Sequence, residues 1–206
     1  MIVIIDYGMG NLFSIQAALD YLGAKSTISS DLDIVNDATK LILPGVGSFY
    51  KAMDNIKEGN LFKVITEAVT ERRMPILGIC LGMQLLGLSS TEDGFCTGFG
   101  FVDTAVERFD EDACSGLKIP HVGFDIVTID ERRSKLFDGL GENRDFYFTH
   151  SYRMAFSEQT YAVGLCSHGE RFIAAFEKEH ICGTQFHPEK SQTNGLILLN
   201  NFIKKF

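Results

Sequence analysis

"PILGICLGMQLL", residues 75–86, sets Cys80 between Gly78 and Gly82, two positions away on either side, at the end of an apolar run. A residue held at the tip of a sharp strand-to-helix turn needs small neighbours, because the turn crowds the flanking backbone. Glycine two before and two after meets that need. The pattern G-x-C-x-G is a nucleophile elbow with cysteine in place of serine. On this reading "PILGIC" is a buried strand, a helix begins near Leu81, and the sulfur stands clear of the strand ends. There the helix dipole and free N–H groups favour a thiolate and a developing oxyanion. An inert buried cysteine packed between two glycines is the plainer alternative.

Outward from the elbow, element types alternate. "IVIID" (2–6) is a β-branched apolar run, and after "YGMGN" the stretch Leu12 to Leu22 has helical period. "KLILPGVG" (40–47) repeats the pattern, with helices expected over 49–57 and 60–73. This alternation predicts an α/β fold with a mostly parallel central sheet flanked by helices. From about residue 101, strand-like runs dominate: "FVDTAVERF", "HVGFDIVTI", "DFYFTHSYRM", "TYAVGLCSH", "RFIAAFEK" and "HICGTQFHP", closed by a helix near 193–204. They predict additional mixed strands that continue the first sheet. With 206 residues, 45% of them hydrophobic, the chain can bury one sizeable core, and 1–206 reads as one domain.

Composition narrows the partners. The formal net charge is −8 with no basic stripe, which argues against nucleic acid. The apolar run Ile2 to Ile5 stops at Asp6 and has no basic residue before it, so it reads as neither a signal peptide nor a membrane span. Five cysteines, an odd number with no CxxC pair, suit a reducing cytoplasm better than a disulfide framework or a zinc site. Nothing calls for a metal or an organic cofactor.

A thiol nucleophile needs a base, and the base needs an orienting group. His187 ends the apolar run of "GTQFHPEKS" (183–191), immediately before a proline that stops the strand. Glu189 follows two residues later, within reach of the imidazole. The same tripeptide also reads as a helix start, with proline at the first helical position and an acidic residue in the first turn.

"PGVGSF" (44–49), "PILGICLGMQLL" and "GTQFHPEKS" together resemble the class I (triad) glutamine amidotransferases. Among these, they are most similar to the glutaminase subunits of imidazole glycerol phosphate synthases. The resemblance runs from "DYGMGN" to "HPEKSQTNG", essentially the whole chain. It implies that Cys80 attacks the carboxamide of glutamine and that His187, held by Glu189, moves the proton. The N–H groups of Leu81 and Val46 would form the oxyanion hole, and Gly45 and Gly47 would let that peptide turn as a switch. Gly45, Gly47, Gln84, Glu92, His150, Ser151 and Tyr152 are the implied glutamine contacts. Ammonia would pass to a TIM-barrel cyclase subunit in a heterodimer of histidine biosynthesis.

Strict alternation in "FYFTHSY" puts Phe146, Phe148, His150 and Tyr152 on one face and Tyr147, Thr149 and Ser151 on the other. His150 reads equally as a hydrogen-bonded core histidine. His121 is placed near the partner interface by resemblance, His168 and His180 read as solvated surface residues, and Cys96, Cys114, Cys166 and Cys182 carry no motif. The family commonly has Gly-Trp-Asn after the "PH" of "IPHVGF", where this chain has Gly123-Phe124-Asp125 and no tryptophan anywhere. That departure leaves open a paralogous subunit that feeds ammonia to a sugar-modifying synthase of surface-polysaccharide assembly. A non-catalytic interaction module of the same fold is a third reading, against which the intact Cys80, His187 and Glu189 stand.

Overall fold

A computed structural model describes residues 1–130 and 134–206. The first half runs β1 (Ile2–Ile5), α1 (Leu12–Tyr21), β2 (Ser26–Ser29), α2 (Leu32–Asn36), β3 (Lys40–Leu43), α3 (Phe49–Glu58), α4 (Leu61–Thr70), β4 (Ile76–Ile79) and α5 (Leu81–Leu85). Short strands β5 (Ser89–Ser90), β6 (Cys96–Thr97) and β7 (Val106–Arg108) lead into β8 (His121–Ile126) and β9 (Thr128–Ile129). Then come β10 (Asp145–His150), β11 (Tyr152–Ala155), β12 (Ala162–His168), β13 (Glu170–Lys178), β14 (Ile181–Thr184) and α6 (Gln192–Lys205), with a 3-10 turn at Pro188–Lys190 before α6.

Five strands, in the order β2-β1-β3-β4-β14, form the parallel part of the main sheet. Every residue of β1, β4 and β14 is buried, as expected where helices cover both faces. Alternate side chains go to opposite layers. Val3, Ile5, Leu41, Leu43 and Ile76 pack with α3 and α4, and Ile2, Ile4, Ile42, Leu77 and Ile79 pack with α1 and α6. Beyond β14 the sheet turns antiparallel through β13, β11 and β7, so the strand-rich second half does continue the first sheet.

Three expectations need correction. The runs "HVGFDIVTI" and "DFYFTHSYRM" do not simply extend the main sheet: β8 and β10 pair only with each other, as an antiparallel ribbon, among the described residues. The chain bends at Ser151, so Tyr152 opens β11 in the main sheet instead of sharing a face with Phe146, Phe148 and His150, which are buried in the ribbon. In addition, "FVDTAVERF" supplies only Val106–Arg108 as strand. No helix among the described residues is long and apolar enough to cross a membrane.

Candidate active site

Register places the site. In the parallel pair β4–β14, Ile79 lies opposite Thr184, and in β3–β4, Leu43 lies opposite Gly78. The residues that follow, Pro44, Cys80 and Gln185, are therefore brought together at the carboxyl ends of three adjacent strands, where open α/β sheets build their sites. Cys80 N–H donates to the Thr184 carbonyl at 2.7 Å, which pins the elbow to β14.

The elbow is as sharp as its glycines predict. Cys80 has φ 55° and ψ −113°, a conformation that an L-residue adopts only when its surroundings impose it. A Cβ on Gly78 would lie 2.7 Å from the Met83 backbone nitrogen, and one on Gly82 would collide with the Leu43 carbonyl oxygen. The helix that follows is only five residues long, so the dipole expected at Cys80 is small, and the local N–H groups remain as the polar contribution.

His187 and Glu189 meet as expected. His187 Nδ1 lies 2.8 Å from Glu189 Oε1, and both side chains are almost completely buried. The 3-10 turn begins at Pro188, so the helix-start reading of His-Pro-Glu is also correct, and that turn is what swings the carboxylate back. The opposite nitrogen, Nε2, is buried with no close hydrogen bond among the described residues. Burial alone would push the imidazole down. Interaction with the nearby Cys80 sulfur, then the Glu189 hydrogen bond, and the charges of both outweigh it and raise its pKa to about 10. A cationic imidazole beside the sulfur supplies the counter-charge that a thiolate needs.

A cleft of about 450 Å³ opens in front of Cys80, lined by Val46, Gly47, Ser48, Leu81, Gln84, Glu92, Asp93 and residues 149–152. The cleft brings together most of the residues the sequence singled out, though not always through the expected atoms. Gln84 spends its amide nitrogen on the Tyr152 carbonyl (2.8 Å) and on Gln185 Oε1 (3.0 Å). Glu92 accepts from the Phe49 N–H at the start of α3 (2.9 Å), and burial raises its pKa. Gly45 is buried, and a Cβ there would meet the Tyr7 hydroxyl and, at 2.9 Å, Leu81 Cβ. Close packing accounts for this glycine, whereas Gly47, at φ +98°, has the left-handed backbone that a turning peptide uses. The Tyr7 hydroxyl donates to the Pro44 carbonyl at 2.7 Å and so ties β1 to the Pro-Gly segment, a link that "DYGMGN" did not disclose.

His150 is a core residue. Its Nδ1 contacts the Tyr152 carbonyl at 2.8 Å and its Nε2 contacts His121 Nδ1 at 3.2 Å, so no ring nitrogen is left for substrate. His121 is only 4% exposed, so its side chain faces inward from β8. Its strand neighbours Val122, Phe124 and Ile126 point outward instead. Nor are the other two histidines simply solvated. His168 stacks on His121 with centroids 4.2 Å apart and bonds the Lys118 carbonyl, and His180 bonds the Val69 carbonyl.

Burial, followed by neighbouring histidine charge, lowers His121 to about 4, against an opposing pull from Asp125. Burial lowers His150 to about 3, against the opposing Tyr152 hydrogen bond. In the unfolded chain both take protons near the ordinary histidine value of 6.5. Their neutral burial therefore contributes fully above that pH and is lost as pH falls towards 4 and then 3. The expected result is a thermal midpoint that falls through this window, and falls less steeply in His121→Phe. Parallel falls in the two proteins would refute the assignment.

Among the described residues, no three His, Cys, Asp or Glu side chains converge as a metal site, and all five cysteines are free. The family model for glutamine amidotransferase class-I matches residues 3–206. The chain is a class I glutamine amidotransferase. It is 43% identical to imidazole glycerol phosphate synthase subunit HisH 1 of Campylobacter jejuni (strain RM1221), covering 99% of this chain and 100% of that one. It is 42% identical to subunit HisH 2 of Methanococcus maripaludis over the full length of both, and 39% identical to subunit HisH 2 of Pseudomonas aeruginosa over 99% of each. A solved glutamine amidotransferase shares the fold with a TM-score of 0.75 at 18% identity, covering 98% of this amidotransferase and 97% of its own chain. PurLQS from Thermotoga maritima does so at 0.73 and 19%, covering 99% and 97%. This amidotransferase is thus a glutamine-hydrolysing enzyme of the Cys-His-Glu kind.

Proposed function

We propose that this amidotransferase is the glutaminase subunit of an imidazole glycerol phosphate synthase, in which Cys80, His187 and Glu189 are the triad. Full-length identity of about 40% to several such subunits carries the reading. In the reaction, the Cys80 sulfur attacks the side-chain carbonyl carbon of glutamine. The oxyanion forms against the N–H groups of Leu81 and Val46. His187, cationic and buried against Glu189, gives its proton to the departing nitrogen, and ammonia leaves as the C–N bond breaks. Water, deprotonated by the now neutral imidazole, cleaves the glutamyl thioester and releases glutamate.

Gln84, Glu92 and residues 149–152 border the cleft where the glutamine head group would sit. The ammonia goes to a TIM-barrel cyclase in a cytoplasmic heterodimer. Glutamate release is measured alone and with the cyclase and its nucleotide ligand. The expected rise is on the order of 10²–10³-fold, the effect of one oxyanion donor moved into place. A folded protein whose rate does not respond would redirect the assignment to the paralogous subunit of a sugar-modifying synthase. The outward-facing Phe124 on β8, where the family commonly has tryptophan, favours that second reading.

A further inference from the structure

Gln185 has no place in the mechanism so far, yet it is completely buried one residue past β14, directly beside the elbow. Its own N–H donates to the Ala174 carbonyl at 2.7 Å, which fixes the backbone from which the side chain extends. Side-chain contacts then settle which way the amide faces. The Tyr152 carbonyl can only accept, so the Gln84 atom 2.8 Å from it must be the amino nitrogen. The second hydrogen of that nitrogen points at Gln185, whose facing atom, at 3.0 Å, must accept and is therefore Oε1. This leaves Gln185 Nε2 turned to the Cys80 sulfur, 3.8 Å away. Reversing the Gln185 amide would set two amino groups against each other in a buried space, at the cost of an unmade hydrogen bond.

We propose that Gln185 is a further catalytic residue, whose side-chain amide donates a hydrogen bond to the Cys80 sulfur and holds it as the anion aimed into the cleft. The proposal rests on the glutaminase reading above. A donor that cannot give up its proton favours a thiolate over a thiol, because the anion is the stronger acceptor. His187 supplies charge, but its proton leaves with ammonia. The imidazole regains a proton from the hydrolytic water before the thiolate is expelled, whereas Gln185 keeps its hydrogens throughout and serves the sulfur at every stage. Its orientation is set by a carbonyl that His150 also holds, which connects the β10–β11 junction to the nucleophile through two glutamine amides.

The test uses Gln185→Met, which keeps the length and removes the donor. Alkylation of Cys80 by iodoacetamide, followed on the Cys80 peptide by mass spectrometry, is measured against pH without glutamine. The midpoint is expected to rise by about one pH unit, a tenfold slower reaction at pH values below both midpoints. Glutamine hydrolysis, measured with the cyclase present, should lose about tenfold in kcat with KM within twofold. An alkylation profile that overlays the wild type overturns the proposal. Should the variant not fold, the Gln185 side-chain amide resonance of the wild-type protein decides: it is expected to shift when Cys80 is alkylated, and an unmoved resonance overturns the proposal. A wild type that never hydrolyses glutamine while these thiol effects stand would sink the glutaminase reading and leave the hydrogen bond in place.

Discussion

Cys80→Ala is expected to abolish glutamate release while leaving the unfolding midpoint close to that of the wild type. Among the described residues, the sulfur is the only nucleophile lining the cleft whose neighbours include a buried cationic imidazole, so none of them can replace it. What remains is binding and oxyanion stabilisation without bond formation, and the loss should be on the order of 10⁴-fold or more. Stability separates this from general damage. Residue 80 holds φ 55° and ψ −113° whether it is cysteine or alanine, so the alanine variant keeps the backbone strain. Cys80→Gly removes the Cβ that makes this conformation costly and should be as inactive but about 1 kcal/mol more stable than Cys80→Ala. Glutamate release and urea unfolding of the two variants decide the matter. Residual turnover in the alanine variant would sink the nucleophile, and a glycine variant less stable than the alanine one would sink the strained elbow.

What could be read from the sequence follows from how locally each feature is encoded. The all-buried strands are legible because burial on both faces leaves unbroken apolar runs, as in "IVII" and "ILGI". The elbow and the His-Pro-Glu turn are legible because their geometry is held within five and three residues. β2 is not: "STIS" is a half-buried edge strand that presents no apolar run, and it is placed by pairing with β1. α2 is five residues long, held by the Asp31 side chain accepting from Asp33 and Ile34 N–H groups, and is too short for a period to show. "DFYFTHSYRM" reads as one strand, because alternation does not record the bend at Ser151 that sends its halves into different sheets. Register is the deepest loss. Nothing local says that Thr184 lies opposite Ile79, and that pairing is what sets Gln185 against the sulfur. One local signal did exist: Gln185 and His187 are two apart in an extended stretch, so a face that offers a base to Cys80 also offers an amide.

Gly82→Ala is expected to be the most damaging single-methyl change in the site. The new Cβ would collide with the Leu43 carbonyl oxygen, lie 2.7 Å from the Leu43 carbonyl carbon and lie 3.2 Å from the Pro44 carbonyl carbon. All three atoms are backbone, so no rotamer change relieves the contact. The strand cannot retreat, because Leu41, Ile42 and Leu43 are fully buried between the helical layers. The destabilisation should be about 3 kcal/mol or more, beyond ordinary overpacking, because strand and elbow have to part. Activity should fall further than stability alone predicts. The segment pushed away leads directly into Val46 and Gly47 across the cleft from Cys80, and losing one oxyanion donor costs on the order of 10²–10³-fold in kcat. Gly141→Ala is the control: a Cβ there meets nothing within 4 Å, and both stability and activity should stay at wild-type values. Urea unfolding and glutamate release with the cyclase present measure both arms. A Gly82→Ala protein as stable as the control would mean that the second glycine of G-x-C-x-G serves the turn's dihedral angles and not the approach of α5 to β3, and the proposed oxyanion segment would lose its mechanical link to the elbow.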